Sequence, residues 1–505
     1  MRKRWFKILL KVLLLLFVLF FVFLLFERWR GQISLARFKR ALAAKGETLD
    51  IHKLIAPTVA DADNGAPELM RLKALIQEGK VIPKSFTPKM KLIFPGKALV
   101  GYREKIWVDE ETTNTWEDVS SDLSTNKQTL EQLRAVLAKP AFDFKLDHSQ
   151  GFAMNLLHLA PTKSLSQWFG SAFQNSLRNG ENQAAFEDLL AAIAVPRVME
   201  NDSILISELV RIAISSINLG TTWEALQADV WTDEQLAIIQ KAWERNTFVT
   251  NMVRSLQVER ADGDTYYSRF RKSNDETYKH MFPDWPALLT ADTDPDSSHW
   301  WQQEFIRKQI YCRVWRFAWS YQDEKSYLAG MDYFIHDNRT GAEKIARDVE
   351  SIGFDLPIAK TSHQNFYNDW RFGMSAQSLA SLSLSMVKAA RAETDRSMVL
   401  CAIALKRYSL RHSKSAPDLN ALVPEFLPSV PTDCMDGKPM KYRLNADGAW
   451  LLYSVGNDGR DNGGDPSPAK SDQTYPLIWR GKDVVWPSPA TPEEIEAWRK
   501  EAATN

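Results

Sequence analysis

The chain opens MRKRWFKILLKVLLLLFVLFFVFLLFERWR, and the apolar run Ile8–Phe26 limits what the rest can do. Only Lys11 interrupts it. At ~1.5 Å per residue the run reaches about 28 Å, close to the ~30 Å hydrocarbon core of a bilayer. Lys11 lies near one end, where a long stem carries its charge to the headgroups. Trp5 and Trp29 bracket the run as interfacial anchors. A cleaved signal peptide has a shorter apolar region followed by small residues. Here bulky, charged Phe26-Glu27-Arg28-Trp29 follows. The sequence therefore predicts a signal-anchor, with 1–7 a cytoplasmic tail and 8–26 a transmembrane helix. The bulk is expected on the periplasmic side of a bacterial inner membrane. Arg2, Lys3, Arg4 and Lys7 precede the span, and Arg28, Arg30, Arg37, Lys39 and Arg40 follow it. The positive charge nearly balances, so orientation rests on the short basic tail rather than on a charge difference.

At 505 residues the chain exceeds one ordinary core. Its 63 basic and 63 acidic residues cancel, which argues against a nucleic-acid partner. Cys312, Cys401 and Cys434 form no C-x-x-C pair, so a zinc site of the usual spacing is not expected. Two readings stay open for them: a Cys401–Cys434 bridge, or three buried thiols.

The expected fold class is mainly α with a small α+β C-terminal domain. Region 27–160 reads as a juxtamembrane mixed region, in which Ile33–Lys45 continues the anchor as an amphipathic helix ended by Gly46. Asn126–Leu137 reads as a helix and Phe142–Leu146 as a short strand. Region 161–375 reads as a helical-hairpin domain, loosely similar to a tetratricopeptide array without a fixed period. Its pairs break at Asn179-Gly180 and Gly220, and Thr232 with Gln235 forms a capping box. Asp262–Ser298 reads as a long polar loop with short helices. Within Trp300–Tyr327 a stripe of Trp301, Phe305, Cys312, Trp315 and Trp319 reads as core.

Region 376–470 begins with a long helix, Ala376–Arg411. Met398, Cys401, Leu405 and Tyr408 share one face, with Lys406, Arg407 and Arg411 away from it. Met440, Tyr442 and Leu444 alternate with basic residues as a strand, and Trp450–Val455 pairs with it across Asn445–Gly448. Region 471–505 is a tail with a short helix opened by Thr491 and Pro492.

Behind the hairpin stands YSVGNDGRDNGGD, Tyr453–Asp465. Such a loop is a metal site, a phosphate cradle or a bare turn. A phosphate cradle lacks its Lys-Ser/Thr helix start here. The order of long helix, LNALVPEFLPSVPTDCMDGKPMKYRL, hairpin and glycine-rich loop resembles the C-terminal domain of the type II secretion major pseudopilin. Tyr453, Ser454, Gly456, Asp458, Gly459, Gly463 and Gly464 match that family's calcium loop in kind. The resemblance covers about 396–465. It implies a calcium-capable loop, with Asp458, Asp461 and Asp465 supplying charge and Asn457 and loop carbonyls, such as that of Ser454, completing the six to eight oxygens the ion takes. The N-terminus MRKRWFK lacks the family's processing site, and the module stands far from the membrane helix. The whole chain thus resembles membrane-anchored bacterial proteins that carry this module.

No catalytic residue is assigned. There is no H-E-x-x-H, G-x-S-x-G or G-x-G-x-x-G. Ser385-Met386-Val387-Lys388 is an S-x-x-K, but Ser273-Asn274-Asp275 and Lys360-Thr361-Ser362 precede it in the wrong order for a penicillin-binding enzyme. His158 in NLLHLA reads as a core histidine. The expected function is a membrane-anchored extracytoplasmic binding or scaffold protein, held in lipid by its first helix, with a protein partner of unstated kind. The alternatives are a type II secretion or pilus-related component, and an envelope hydrolase.

Overall fold

The structure, a computed structural model, describes residues 2–79, 92–94, 97–98, 115–148, 150, 154–282, 305–340, 366–446, 448–469, 478–488, 491–493, 496–497 and 500. Helices come first and dominate: α1 (Arg2–Ala44), α2 (Ala66–Lys73), α3 (Trp116–Leu137), α4 (Leu159–Arg178) and α5 (Asn182–Ala194). They continue as α6 (Leu205–Gln227), α7 (Asp233–Glu244), α8 (Val249–Phe270) and α9 (Asn274–Met281). Two π-helical turns, Ile306–Tyr311 and Trp315–Trp319, lead into α10 (Ser320–Thr340). Then follow α11 (Phe366–Arg371) and α12 (Gly373–His412). Strands β1 (Leu92–Phe94) and β2 (Lys97–Ala98) pair with each other. β3 (Lys441–Leu444), β4 (Trp450–Ser454) and β5 (Val484–Val485) form an antiparallel sheet in the order β3-β4-β5.

The chain divides into two compact units. The first comprises 1–54, 256–336 and 350–384, and the second 55–255, 337–349 and 385–505. The sequence-based region 161–375 is thus shared between both.

In the first unit α1 is one uninterrupted helix, apolar and, Leu24 apart, exposed through Ile8–Phe26 and folded against protein beyond it. By length and composition it is able to cross a membrane. Gly46, at φ 79°, ends it, with Glu47 N–H bonded to Leu42 O. The second half of α1 is fastened by charge. Glu27 is buried and accepts from Gln322 Nε2 and Tyr367 Oη, each at 2.9 Å. Burial opposes its charge, but the bonds from Gln322, Tyr367 and Arg30 outweigh it and hold its pKa low. Lys39 pairs with Asp264 and Glu324, and Arg271 pairs with Glu324. Fully buried Arg260 bridges Glu47 at 2.7 Å and Asp332 at 3.1 Å. From Asp262 the chain stays helical longer than expected, α8 running through Phe270, and a short helix follows, α9, capped by Ser273. Residues 283–298 lie outside the described ones, as does Trp301. Cys312, Trp315 and Trp319 are core as read, but Phe305 is 55% exposed.

In the second unit the helical hairpins and the C-terminal sheet share one core. Phe169 and Phe173 of α4, Leu189 of α5, Trp223 of α6 and Trp243 of α7 meet Met398 and Leu405 of α12 and Leu452 of β4. Truncating one such aromatic costs about 3–5 kcal/mol. Trp223 also donates its indole N–H to Pro487 O at 2.8 Å. The expected capping box is present, Gln235 N–H to Thr232 Oγ1 at 3.2 Å and Thr232 N–H to Gln235 Oε1 at 3.1 Å. α3 begins ten residues before the Asn126 start read from sequence, on a Thr115–Asp118 box. Phe142–Leu146 is no strand: only Ala141 makes a bridge, to Asn64, and Lys145 has φ 52°. Arg407 is buried rather than facing away, because Asp233 (2.7 Å) and Gln240 (3.0 Å) receive its guanidinium. All three cysteines are free thiols, so the Cys401–Cys434 bridge is not made. Burial pushes Cys434 up to about 12, an unreactive thiol.

The hairpin register pairs Tyr442 with Leu452 and Leu444 with Trp450. β5 adds Val485 opposite Tyr453, a strand too short to read from sequence. Asp447 in the turn, and Glu494 and Ile495 of the tail helix, lie outside the described residues.

Candidate functional site

The glycine-rich loop leaves β4 at Ser454 and reaches Asp465 before the chain returns as β5. Its path needs glycine at two positions. A Cβ at Gly456 (φ 69°) would stand 2.7 Å from Lys482 O, and one at Gly464 (φ 81°) would stand 2.4 Å from Leu451 Cδ2. Left-handed backbone and close approach together exclude other side chains without rearrangement.

Two buried carboxylates organise this path. Asp433 accepts Met435 N–H (2.9 Å) and Ser454 Oγ–H (2.9 Å) on one oxygen and Val455 N–H (3.0 Å) on the other. Burial pushes its pKa up, against the pull of those donors. Asp483, just before β5, accepts Gly464 N–H at 2.7 Å and Asn462 and Asp465 N–H at 3.1 Å. Successive amides converging on an anion form a nest. Here the anion belongs to the protein, so the donors that would cradle a phosphate are committed internally.

The five residues expected to bind metal have separate partners. Ser454, expected to offer its backbone carbonyl, is buried with its hydroxyl on Asp433. Asn457 accepts from Arg391 Nε at 2.9 Å and donates to Trp479 O at 2.6 Å. Asp465 receives Lys482 Nζ at 2.8 Å, and that bond leads the effects holding its pKa down at about 2. Asp458 receives Arg460 N–H at 3.0 Å. Asp461 receives Tyr453 Oη–H at 3.0 Å and Gly463 N–H at 2.9 Å. Asp458 and Asp461 are exposed. Among the described residues no three His, Cys, Asp or Glu side chains form a metal-binding group. The side chains present therefore do not make a ready calcium cage; a bound ion would draw Asp458 and Asp461 toward loop carbonyls. Asp433 and Asp483 were not read from sequence. The only signals are an aspartate before an Asp-Gly turn and a lone one before Val-Val.

Beside the sheet is a cavity of about 500 Å³, bordered by Lys406, Leu410, Tyr442, Trp450 and Trp486. Lys406 spends its charge on the end of α6, donating to Leu226 O and Ala228 O at 2.8 Å and to Asp229 at 3.1 Å. A second cavity, about 310 Å³, is bordered by Asp143, Phe144, Lys145, His148 and Asp202. Behind it Asp202 Oδ2 bonds Ser207 Oγ (2.6 Å) and His158 Nε2 (2.7 Å), and Phe144 stacks on His158 at 4.0 Å. The carboxylate stands between serine and histidine. A nucleophilic triad needs the histidine in the middle. His158 is thus a satisfied core histidine, as its apolar setting suggested.

Burial pushes Asp188 up to about 6 against Arg134, and Glu208 up to about 7 against Arg211. Neither lines these cavities. Ser385 is buried in α12 while Lys388 is exposed, and Ser273 is spent as the cap of α9. Lys360-Thr361-Ser362 lies outside the described residues.

No protein-family model, curated protein or solved structure matches this chain. The likeness of 396–465 to a pseudopilin domain therefore rests on its motif and element order.

Proposed function

We propose that the chain is a membrane-tethered binding or scaffold protein, its bulk on the periplasmic side of a bacterial inner membrane. One observation carries this reading: α1 is a single helix whose first half is apolar and exposed and whose second half is bound into a folded unit by ion pairs. Such a helix transmits the position of the anchor rigidly to the protein. Protease added to intact spheroplasts is expected to digest the bulk. Survival until lysis, with a cytosolic control equally spared before it, would overturn the orientation.

The C-terminal loop is proposed as calcium-capable through exposed Asp458 and Asp461, completed by loop carbonyls and water. Millimolar calcium should raise the thermal midpoint, and Asp458→Ala with Asp461→Ala should abolish the rise. No shift in the unaltered protein removes calcium from the account. The long α12 beside a small antiparallel sheet favours a second reading, a secretion-related component, which co-purification with secretion proteins would test.

A further inference from the structure

The stretch Phe305–Gln322, FIRKQIYCRVWRFAWSYQ, carries four basic residues, Arg307, Lys308, Arg313 and Arg316, and no acidic one. Cys312, Trp315 and Ala318 face the core. The opposite side leaves Phe305 (55%), Ile306 (46%), Ile310 (49%) and Phe317 (37%) exposed, with Trp370 of α11 exposed to 37%. Ile306, Ile310 and Phe317 recur at helical spacing, interleaved with exposed Arg313. Lys308 pairs with Asp275, Arg316 bonds Phe270 O and Arg271 O, and Arg307 lies over the Phe282 ring, so Arg313 is the cation set among these exposed apolar side chains; an exposed apolar patch of this kind marks a contact surface.

Position within the first unit says what covers this stripe. Contacts between α1 and this stretch rise together in number: Arg28 with Phe317, Gly31 with Gln322, Phe38 with Lys325 and Lys45 with Asp332. The two helices therefore run in the same direction. Arg28 donates to Phe317 O at 3.1 Å and its guanidinium lies 5.1 Å from the Phe317 ring centre. Ile310 and Ile306 precede Phe317 by two to three turns, toward the apolar half of α1. The grip reaches into that half: Leu24 is buried, and the Phe23 ring lies 6.3 Å from that of Tyr367 in α11. If Ile8–Phe26 crosses a bilayer, Phe317, beside Arg28, is at its headgroup–acyl boundary, and Ile310 and Ile306 lie beyond it toward the hydrocarbon.

We propose that Phe305, Ile306, Ile310, Phe317 and Trp370 form a second membrane contact, set against lipid alongside the anchor, with Arg313 directed to anionic headgroups. The patch continues the apolar surface of α1 onto the folded unit, and this proposal rests on the tether reading. It fixes the tilt of the first unit on the lipid, which a lone helix followed by a linker would leave free.

The test uses the full chain in vesicles of phosphatidylethanolamine and phosphatidylglycerol, carrying Cys434→Ser and one environment-sensitive fluorophore. The label is attached through Val18→Cys in the anchor, Ile310→Cys in the stripe, or Arg40→Cys in the exposed part of α1 beyond it. The expected result is blue-shifted Ile310→Cys emission, quenched by lipids with an acyl-chain nitroxide, while the Arg40→Cys probe stays aqueous. If the Val18→Cys probe reports hydrocarbon and the Ile310→Cys probe matches Arg40→Cys, the second contact is refuted and the tether stands. If the Val18→Cys probe is itself aqueous, both fail. Phe305→Cys repeats the reading should Ile310→Cys not fold.

Discussion

The acids beside the second half of α1 and those of the glycine-rich loop are held in opposite ways. Around α1, acids meet cationic side chains: Glu324 with Lys39 and Arg271, Glu47 and Asp332 with Arg260. Around the glycine-rich loop, Asp433 and Asp483 mainly meet backbone amides. Side-chain pairs lock helices whose own backbone bonds are already satisfied. Amide donors are available only at helix N-termini, where Asp323 takes Met374 and Ser375 N–H, and where the backbone is irregular, so in the loop the carboxylate shapes the path itself. The first device sets how elements dock; the second sets what conformation a segment adopts.

The comparison is broken most readily at Arg260. Arg260→Leu leaves Glu47 and Asp332 without their shared cation, and removing one partner of a buried pair costs about 3–5 kcal/mol. Denaturant unfolding in detergent should register that loss; an effect indistinguishable from that of a surface arginine would mean the pair does not hold α1. Next comes Asp483→Ala, which strands the amides of Asn462, Gly464 and Asp465. Water reaches part of this exposed loop, so about 2–3 kcal/mol is expected, with new proteolytic cleavage within 456–465. Asp483→Asn keeps an acceptor oxygen and should recover part of the stability. Equal damage from both variants would show that charge, not amide satisfaction, holds the loop.

A smaller effect sharpens the same contrast through pH. Burial, with a hydrogen bond to Asp264, pushes Glu324 up to about 7 despite Arg271 and Lys39. The folded state therefore keeps this proton longer than the unfolded chain, whose glutamate titrates near its ordinary value. The resulting stability is fully present below that ordinary value and is lost as pH rises through about 7. One such group changes stability by at most about 1.4 kcal/mol per pH unit. Glu324→Gln should flatten the decline between pH 5 and 7; an unchanged slope assigns it to other groups.

Much of the helical architecture was legible because periodicity and caps are local. The Thr232–Gln235 box, the Gly46 stop and the Met398–Tyr408 face all depend on residues within a few turns of one another. The metal donors were legible only as residue types. Whether an aspartate meets a cation, an amide or water depends on partners such as Lys482 and Tyr453, which spacing along the chain does not specify. Arg407 looked like a surface residue because its acceptors, Asp233 and Gln240, are more than 160 positions away. Phe305 looked like core because periodicity identifies a stripe without saying which neighbour covers it.

A long apolar first helix, a mainly helical body and a terminal hairpin with a glycine-dependent loop are written into the order of residues alone. These follow from hydrophobic runs, turn chemistry and backbone sterics, all short-range. Only the tertiary structure decided that hairpins and sheet share a core, that Asp433 and Asp483 hold the loop, and that an apolar stripe accompanies α1 as it leaves the apolar run. Those outcomes depend on which distant surfaces meet, where burial and unsatisfied polar groups set the energy.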